Sequence, residues 1–162
     1  RSVAAMIRRS SLSLAVLAAA APLAALASET FLGLAPCALC LWQRWPYWVA
    51  VLLALLAGLL RSRGLLVLAA LAVLVSGGLA VLHIGVEQQW WPSPLPSCQA
   101  PTASLGLSVD DMLKAMAAKP DKPCDAPTYL IPGLPVTMAQ LNLLYALLLG
   151  GFGLREALRR HA

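Results

Sequence analysis

Gly64-Leu-Leu-Val-Leu-Ala-Ala-Leu-Ala-Val-Leu-Val-Ser-Gly-Gly-Leu-Ala-Val-Leu-His-Ile84 runs for 21 residues without an acidic, lysine or arginine side chain. Wound as a helix, a stretch of about 20 such residues covers the roughly 30 Å hydrocarbon core of a bilayer. The rest of the chain agrees with that reading. Of 162 residues, 60% are hydrophobic and 12% charged, and the mean hydropathy is +0.77. Soluble domains run near half apolar and a quarter charged, so a soluble globular enzyme is excluded. So much apolar side chain also excludes disorder, and no repeat period marks a solenoid. The formal charge of +5 is spread between apolar runs. A nucleic-acid partner needs a clustered basic face, so none is expected.

Working outward from 64–84, three more apolar runs reach spanning length at about 45–60, 12–34 and 134–154. The expected fold is therefore an all-α membrane protein, one four-transmembrane-helix bundle over residues 1–162. The Arg61-Ser62-Arg63-Gly64 turn makes the second and third spans antiparallel neighbours. A loop of about 85–133 joins the third and fourth and holds eight of the twelve prolines. Within it Ser108 can cap a short helix, with Asp111 at the capping-box position. Met112, Leu113, Met116 and Ala117 fall on one face of that helix before Pro120 stops it. Such an amphipathic helix lies in the headgroup plane. Residues 6–27 also carry signal-peptide features, with Arg8 and Arg9 ahead of the apolar run and Ala25-Leu26-Ala27 as a small-residue site. Apolarity continuing through Phe31, Leu32 and Leu34 favours a retained span.

Cytoplasmic loops carry the excess of lysine and arginine. Arg1, Arg8, Arg9, Arg61, Arg63, Arg155, Arg159 and Arg160 fall on one side, against Arg44, Lys114, Lys119 and Lys122 on the other. Both termini are then cytoplasmic and the long loop lies outside. Trp42, Trp45, Trp48, Trp90 and Trp91 gather at the outer boundary as an aromatic belt.

All four cysteines, Cys37, Cys40, Cys98 and Cys124, fall on that outer, disulfide-permissive side. Three pairings are possible, and local spacing favours Cys37–Cys40 and Cys98–Cys124. Closing the second loop stabilises by about 3.5 kcal/mol through chain entropy, so a purely structural role suffices for that pair. The Cys37-Ala38-Leu39-Cys40 bridge closes almost no loop and points to redox chemistry instead. Pro36 suits the first position of a helix, which puts both thiols in its first turn, where the dipole favours a thiolate. Arg44, four residues beyond Cys40, shares its face if the helix runs through, although Pro46 opposes continuity. Arg44 as an interfacial anchor is the plainer alternative. His83 and Glu87, one helical turn apart, are candidates for hydrogen bonds to a cofactor. Gln140 and Asn142 in the fourth span read as interhelical hydrogen-bonding groups. Gly77, Gly78, Gly150 and Gly151 read as points of close helix approach.

These residues together, Cys37-Ala38-Leu39-Cys40-Leu41-Trp42-Gln43-Arg44 after a first span, the lead-in from His83 through Trp90-Trp91 to Cys98, and Cys124, resemble the DsbB family over essentially the whole chain. The resemblance implies a multi-pass protein of the Gram-negative inner membrane with periplasmic cysteines. It implies a disulfide oxidoreductase (protein dithiol:quinone oxidoreductase) that reoxidises a DsbA-like thioredoxin-fold partner and passes two electrons to a membrane quinone, ubiquinone or menaquinone. By position, Cys98 takes the partner, Cys124 resolves the mixed disulfide, Cys37 accepts the next attack and Cys40 faces the quinone. Arg44 then holds the Cys40 thiolate and polarises a quinone oxygen, with no metal. Vitamin K epoxide reductase is similar in its four-helix quinone site but has its C-x-x-C after the loop pair, the reverse of the order here. Two other readings stand beside the enzyme: a closed zinc site on all four cysteines, and a scaffold with two inert bridges.

Overall fold

A computed structural model describes residues 2–95, 98, 108–110 and 123–159. Four helices among them are long and apolar enough to cross a membrane, the second interrupted near its N-terminal end. α1 covers Val3–Leu32, α2 Ala38–Trp42, α3 Trp45–Leu60, α4 Arg63–Glu87 and α5 Met138–Leu158. No strand occurs among the described residues, only an isolated bridge between Tyr129 and Thr137. In the expected amphipathic helix, Val109 and Asp110 are helical after Ser108. Asp111, Met112, Leu113, Met116 and Ala117 lie outside the described residues.

Helix ends follow local chemistry more closely than hydropathy does. α1 starts at Val3, well before residue 12, because the Ser2 side chain accepts the Ala5 N–H and the backbone ladder simply continues past Arg8 and Arg9. It stops at Leu32, where Gly33 takes φ 67°, a left-handed conformation that suits a residue without Cβ. α5 starts at Met138 rather than 134, since Thr137 and Gln140 form a reciprocal capping box. Gln140 therefore spends its side-chain oxygen on capping its own helix and not on a bond between helices. In the tight turn Arg61 ends α3 at φ 53° and Ser62 caps α4.

Packing is inside-out compared with a soluble bundle. The fully buried positions are mostly small, including Ala18, Ala50, Ala54, Ala57, Ala69 and Ala146, whereas Leu59 is 77% and Leu148 66% exposed. In lipid, leucine gains nothing by leaving the surface, and close backbone approach at small residues holds helices together. α1 packs on α3, α3 on α4 and α4 on α5, but α1 and α5 meet only briefly, which leaves a cleft between them. At the opposite end from the cysteines, the Ser10 hydroxyl of α1 donates to Glu156 of α5.

The glycines divide by what surrounds them. A Cβ on Gly77 would lie 3.1 Å from Ala146 Cβ, and one on Gly153 only 2.9 Å from Ala70 Cβ, but Gly78 and Gly151 face open space. Gly150 is tight only against the far end of Leu74. Close approach thus holds for Gly77, Gly150 and Gly153, and not for Gly78 or Gly151. Gly153→Val should destabilise the bundle by about 1–3 kcal/mol, because Ala70 cannot swing away as a long side chain can. Gly151→Ala should be neutral in the same thermal unfolding measurement in detergent.

Candidate active site

Pro36 precedes the short helix α2, and Cys37 is its N-cap, two residues later than Pro36 at the first helical position would set it. The cap geometry turns the Cys37 sulfur back over the first turn, where it accepts the Cys40 backbone N–H at 3.3 Å. The two sulfurs lie 3.0 Å apart and unbonded, so the bridge that spacing favours is open here. Cys98 and Cys124 are bonded to each other. That leaves only two of the four sulfurs for a four-cysteine zinc site.

Cys37 is the thiol whose surroundings favour the anion. Its pKa is lowered to about 4, first by the hydrogen bond with Cys40 and then by the hydrogen bond to His83, with burial opposing. Cys37, Leu39, Val86 and the Cys98–Cys124 disulfide form one buried apolar cluster, with Cys40, Leu82 and Leu95 packed against it. The loop disulfide thus rests against the inner pair.

His83 is buried, with Nε2 3.5 Å from the Cys37 sulfur and Nδ1 2.9 Å from Gln43 Nε2. An amide N–H can only donate, so Nδ1 accepts and the ring proton sits on Nε2, directed at Cys37. Glu87 Oε1 lies 3.7 Å from the same Nε2, and its other oxygen accepts the Thr137 hydroxyl at 2.9 Å. The network continues through Gln43. Its side-chain oxygen accepts from Asn142 Nδ2 at 2.7 Å, and its backbone oxygen accepts the Ser76 hydroxyl at 2.7 Å. Asn142 Nδ2 also donates to Ser76, and Asn142 Oδ1 accepts the Tyr47 hydroxyl at 2.6 Å. Asn142 thus makes the interhelical bonds expected of it. Ser76 and Tyr47 were not singled out by sequence, and Gln43 stood there only as a member of the Cys37-to-Arg44 motif, with no partner assigned to it.

On the other side of Cys40 lies a largely apolar cavity of about 490 Å³ between α1, the α2–α3 junction and α5. Cys40, Gln43, Arg44, Tyr47, Asn142 and Glu29 reach its wall, and alanines of α1 and leucines of α5 supply most of the rest. The helix does not run through from Cys40 to Arg44: it breaks at Gln43, and Arg44 caps α3 ahead of Pro46. Arg44 is instead ion-paired through Nη2 to Glu29 near the end of α1. Its buried Nε has no hydrogen-bond partner among the described residues. His83 and Glu87 stand behind Cys37 and Gln43 and do not line the cavity. Trp42, Trp45, Trp48 and Trp90 are exposed around this end, while the Trp91 indole donates to Leu82 O.

A helical membrane bundle that sets an open dithiol between a closed disulfide and an apolar cavity defines a membrane protein built for thiol–disulfide chemistry. The chain matches the family model described as Disulfide bond formation protein DsbB over residues 7–154, nearly its whole length, and it belongs to that family of disulfide oxidoreductases. Comparison with curated proteins and with solved structures gives no match.

His83→Gln is expected to move the pH dependence of dithiol oxidation. The Cys37 thiolate is present above about pH 4 and is lost as pH falls through that value. Removing the imidazole takes away one stabilising contact and raises the midpoint by about one to two pH units. Single-turnover oxidation of the reduced protein, followed from pH 4 to 9, measures this. The variant should be slower at the acid end and rejoin the parent at the alkaline end.

Proposed function

We propose that the protein reoxidises a DsbA-type periplasmic thiol oxidase and passes the electrons to a quinone of the bacterial inner membrane, with both termini cytoplasmic and the cysteines periplasmic. The observation that carries this is the position of Cys40, whose sulfur is 3.0 Å from Cys37 on one side and in the wall of an apolar cavity on the other. A quinone ring suits that cavity. Its volume lies within the range of small-molecule sites, and the cleft between α1 and α5 gives lipid access for an isoprenoid tail. The unpartnered Nε of Arg44 is a donor in want of an acceptor, which a quinone carbonyl supplies. When bound, the quinone takes up two electrons and two protons.

The chain's own residues do the rest. A reduced partner attacks Cys98, releasing Cys124 as thiolate; the partner's second thiol then leaves with a disulfide, and the loop pair is left reduced. Cys124 attacks Cys37 in the Cys37–Cys40 disulfide, and Cys98 displaces Cys37 from the mixed disulfide, so the loop bridge closes and the inner pair holds both electrons. A closed loop pair beside an open inner pair is the arrangement of that step. His83 donates to Cys37 and stabilises it as a leaving group. As Cys40 gives up its electrons toward the cavity, its proton has Cys37 at 3.0 Å to receive it. A DsbA-type oxidase is itself a strong oxidant, at about −120 mV, so the quinone and not the thiols supplies the driving force.

Purified protein in lipid nanodiscs, mixed with a reduced DsbA-type partner and a ubiquinone or menaquinone analogue, should bleach quinone absorbance in step with partner oxidation. Cys124→Ser removes the bridge that the partner attacks, so it should stop this flow and leave the partner reduced. Turnover unchanged by that substitution, or absent with every quinone from a protein that keeps its fold, overturns the reading.

A further inference from the structure

The reduced pair offers more than electrons. The sulfurs of Cys37 and Cys40 and the ring nitrogens of His83 come from two different helices, and their ligating atoms lie within 4.8 Å of one another. A tetrahedral zinc with Zn–S of about 2.3 Å and Zn–N of about 2.0 Å needs S···S edges near 3.8 Å and S···N edges near 3.5 Å. Cys37 Sγ to His83 Nε2 is already 3.5 Å, and the sulfurs, at 3.0 Å, need separate by under about 1 Å. The third edge, Cys40 Sγ to His83, falls within the same 4.8 Å.

We propose that Cys37, Cys40 and His83, when the pair is reduced, form an inhibitory Zn²⁺ site, so that metal and quinone compete for one dithiol. The inhibitory part rests on the oxidoreductase reading above. Charge favours the complex: two thiolates neutralise Zn²⁺, and a neutral site suits apolar surroundings far better than a bare dithiolate. The reaction is an exchange with no change of oxidation state: Zn²⁺ takes the Cys37 thiolate and displaces the Cys40 thiol proton to solvent, while the His83 ring keeps its one proton. Sulfur lone pairs held by the metal are then withdrawn from oxidation. The loop disulfide cannot share in the site while closed.

Gln43 controls the third ligand. As oriented, its amide nitrogen donates to His83 Nδ1 and leaves the ring proton on Nε2, the nitrogen that zinc requires. Binding therefore moves that proton from Nε2 to Nδ1 and turns the amide, so that its oxygen accepts from Nδ1–H, the usual outer contact of a zinc-bound histidine. A carboxylate at position 43 performs this without turning.

The test uses the full chain in lipid nanodiscs with Cys98→Ala and Cys124→Ala, reduced with a phosphine and freed of reductant without air. Cd²⁺ is titrated while the thiolate-to-cadmium charge-transfer band is followed, and Zn²⁺ affinity is measured against a chromogenic chelator. One equivalent should bind, with none after oxidation of the pair. His83→Gln should weaken binding by about 10- to 100-fold, and Gln43→Glu should tighten it severalfold. Affinity unchanged by both substitutions, or binding that survives oxidation, overturns the site. The unsubstituted protein separates the two readings: quinone turnover with no bound metal sinks the zinc site alone, whereas stoichiometric metal without turnover sinks the quinone reading and keeps the site.

Discussion

Cys40→Ser is expected to lower quinone-coupled oxidation of the partner by at least about a thousandfold while leaving the fold intact. Of the two inner sulfurs, only Cys40 lines the cavity, and Cys37 is shielded behind it in the cluster with the loop disulfide. A hydroxyl cannot close a disulfide, so no electron pair can leave Cys37 through position 40. The substitution is nearly isosteric, and Cys40 is only half-buried, so packing is little disturbed. The remaining thiol keeps the contact to His83 that favours its anion. A nucleophilic Cys37 with no resolving partner should collect as a mixed disulfide with Cys124. Stopped-flow quinone absorbance and non-reducing electrophoresis on the same samples read both effects. Turnover within tenfold of the parent would show that electrons bypass Cys40.

Much of this architecture was legible in sequence because lipid imposes one rule on every exposed position. Four apolar runs, three of them free of acidic and basic side chains, give four helices, and the short turn at Arg61–Gly64 fixes two of them as neighbours. Hydropathy ends where charge begins, yet backbone hydrogen bonding does not, so α1 runs back through Arg9 and Arg8 to Val3. At the active site, spacing exposed the Cys37–Cys40 pair and Arg44 because these lie within eight residues of one another. The partners of these groups were not legible. Along the sequence Glu29 is only an acid inside the first apolar run, and its pairing with Arg44 needs α1 and the α2–α3 break to be placed together. The bonds from Gln43 to His83 and Asn142 bridge 40 and 99 residues, distances at which no local pattern survives. Continuity of one helix from Cys40 to Arg44 would have aimed the guanidinium at the thiol. The break before Pro46 turns it to Glu29 and the cavity instead.

Gln43→Leu should do double damage, and separating its two effects tests the coupling between cavity and thiol. Gln43 is 6% exposed and joins three helices through its side chain and backbone oxygen. Leucine matches its volume but offers His83 Nδ1 no donor and Asn142 no acceptor. Asn142 retains Ser76 and Tyr47, so the loss of stability is held to about 1–3 kcal/mol, read as earlier thermal unfolding in detergent. The larger effect falls on Cys37. Without the amide N–H on Nδ1, nothing fixes the ring proton on Nε2, and the imidazole is free to present a bare nitrogen to the sulfur. The thiolate then loses a donor, and the midpoint near pH 4 moves upward, in the same direction as for His83→Gln. Gln43→Glu distinguishes the two effects. Its carboxylate still accepts from Asn142 and favours a doubly protonated ring, so stability and a low Cys37 midpoint should both be kept. A leucine variant that unfolds earlier with an unmoved pH profile would reduce Gln43 to a packing residue. A moved profile in leucine that glutamate restores makes it the group that holds the histidine proton on the catalytic sulfur.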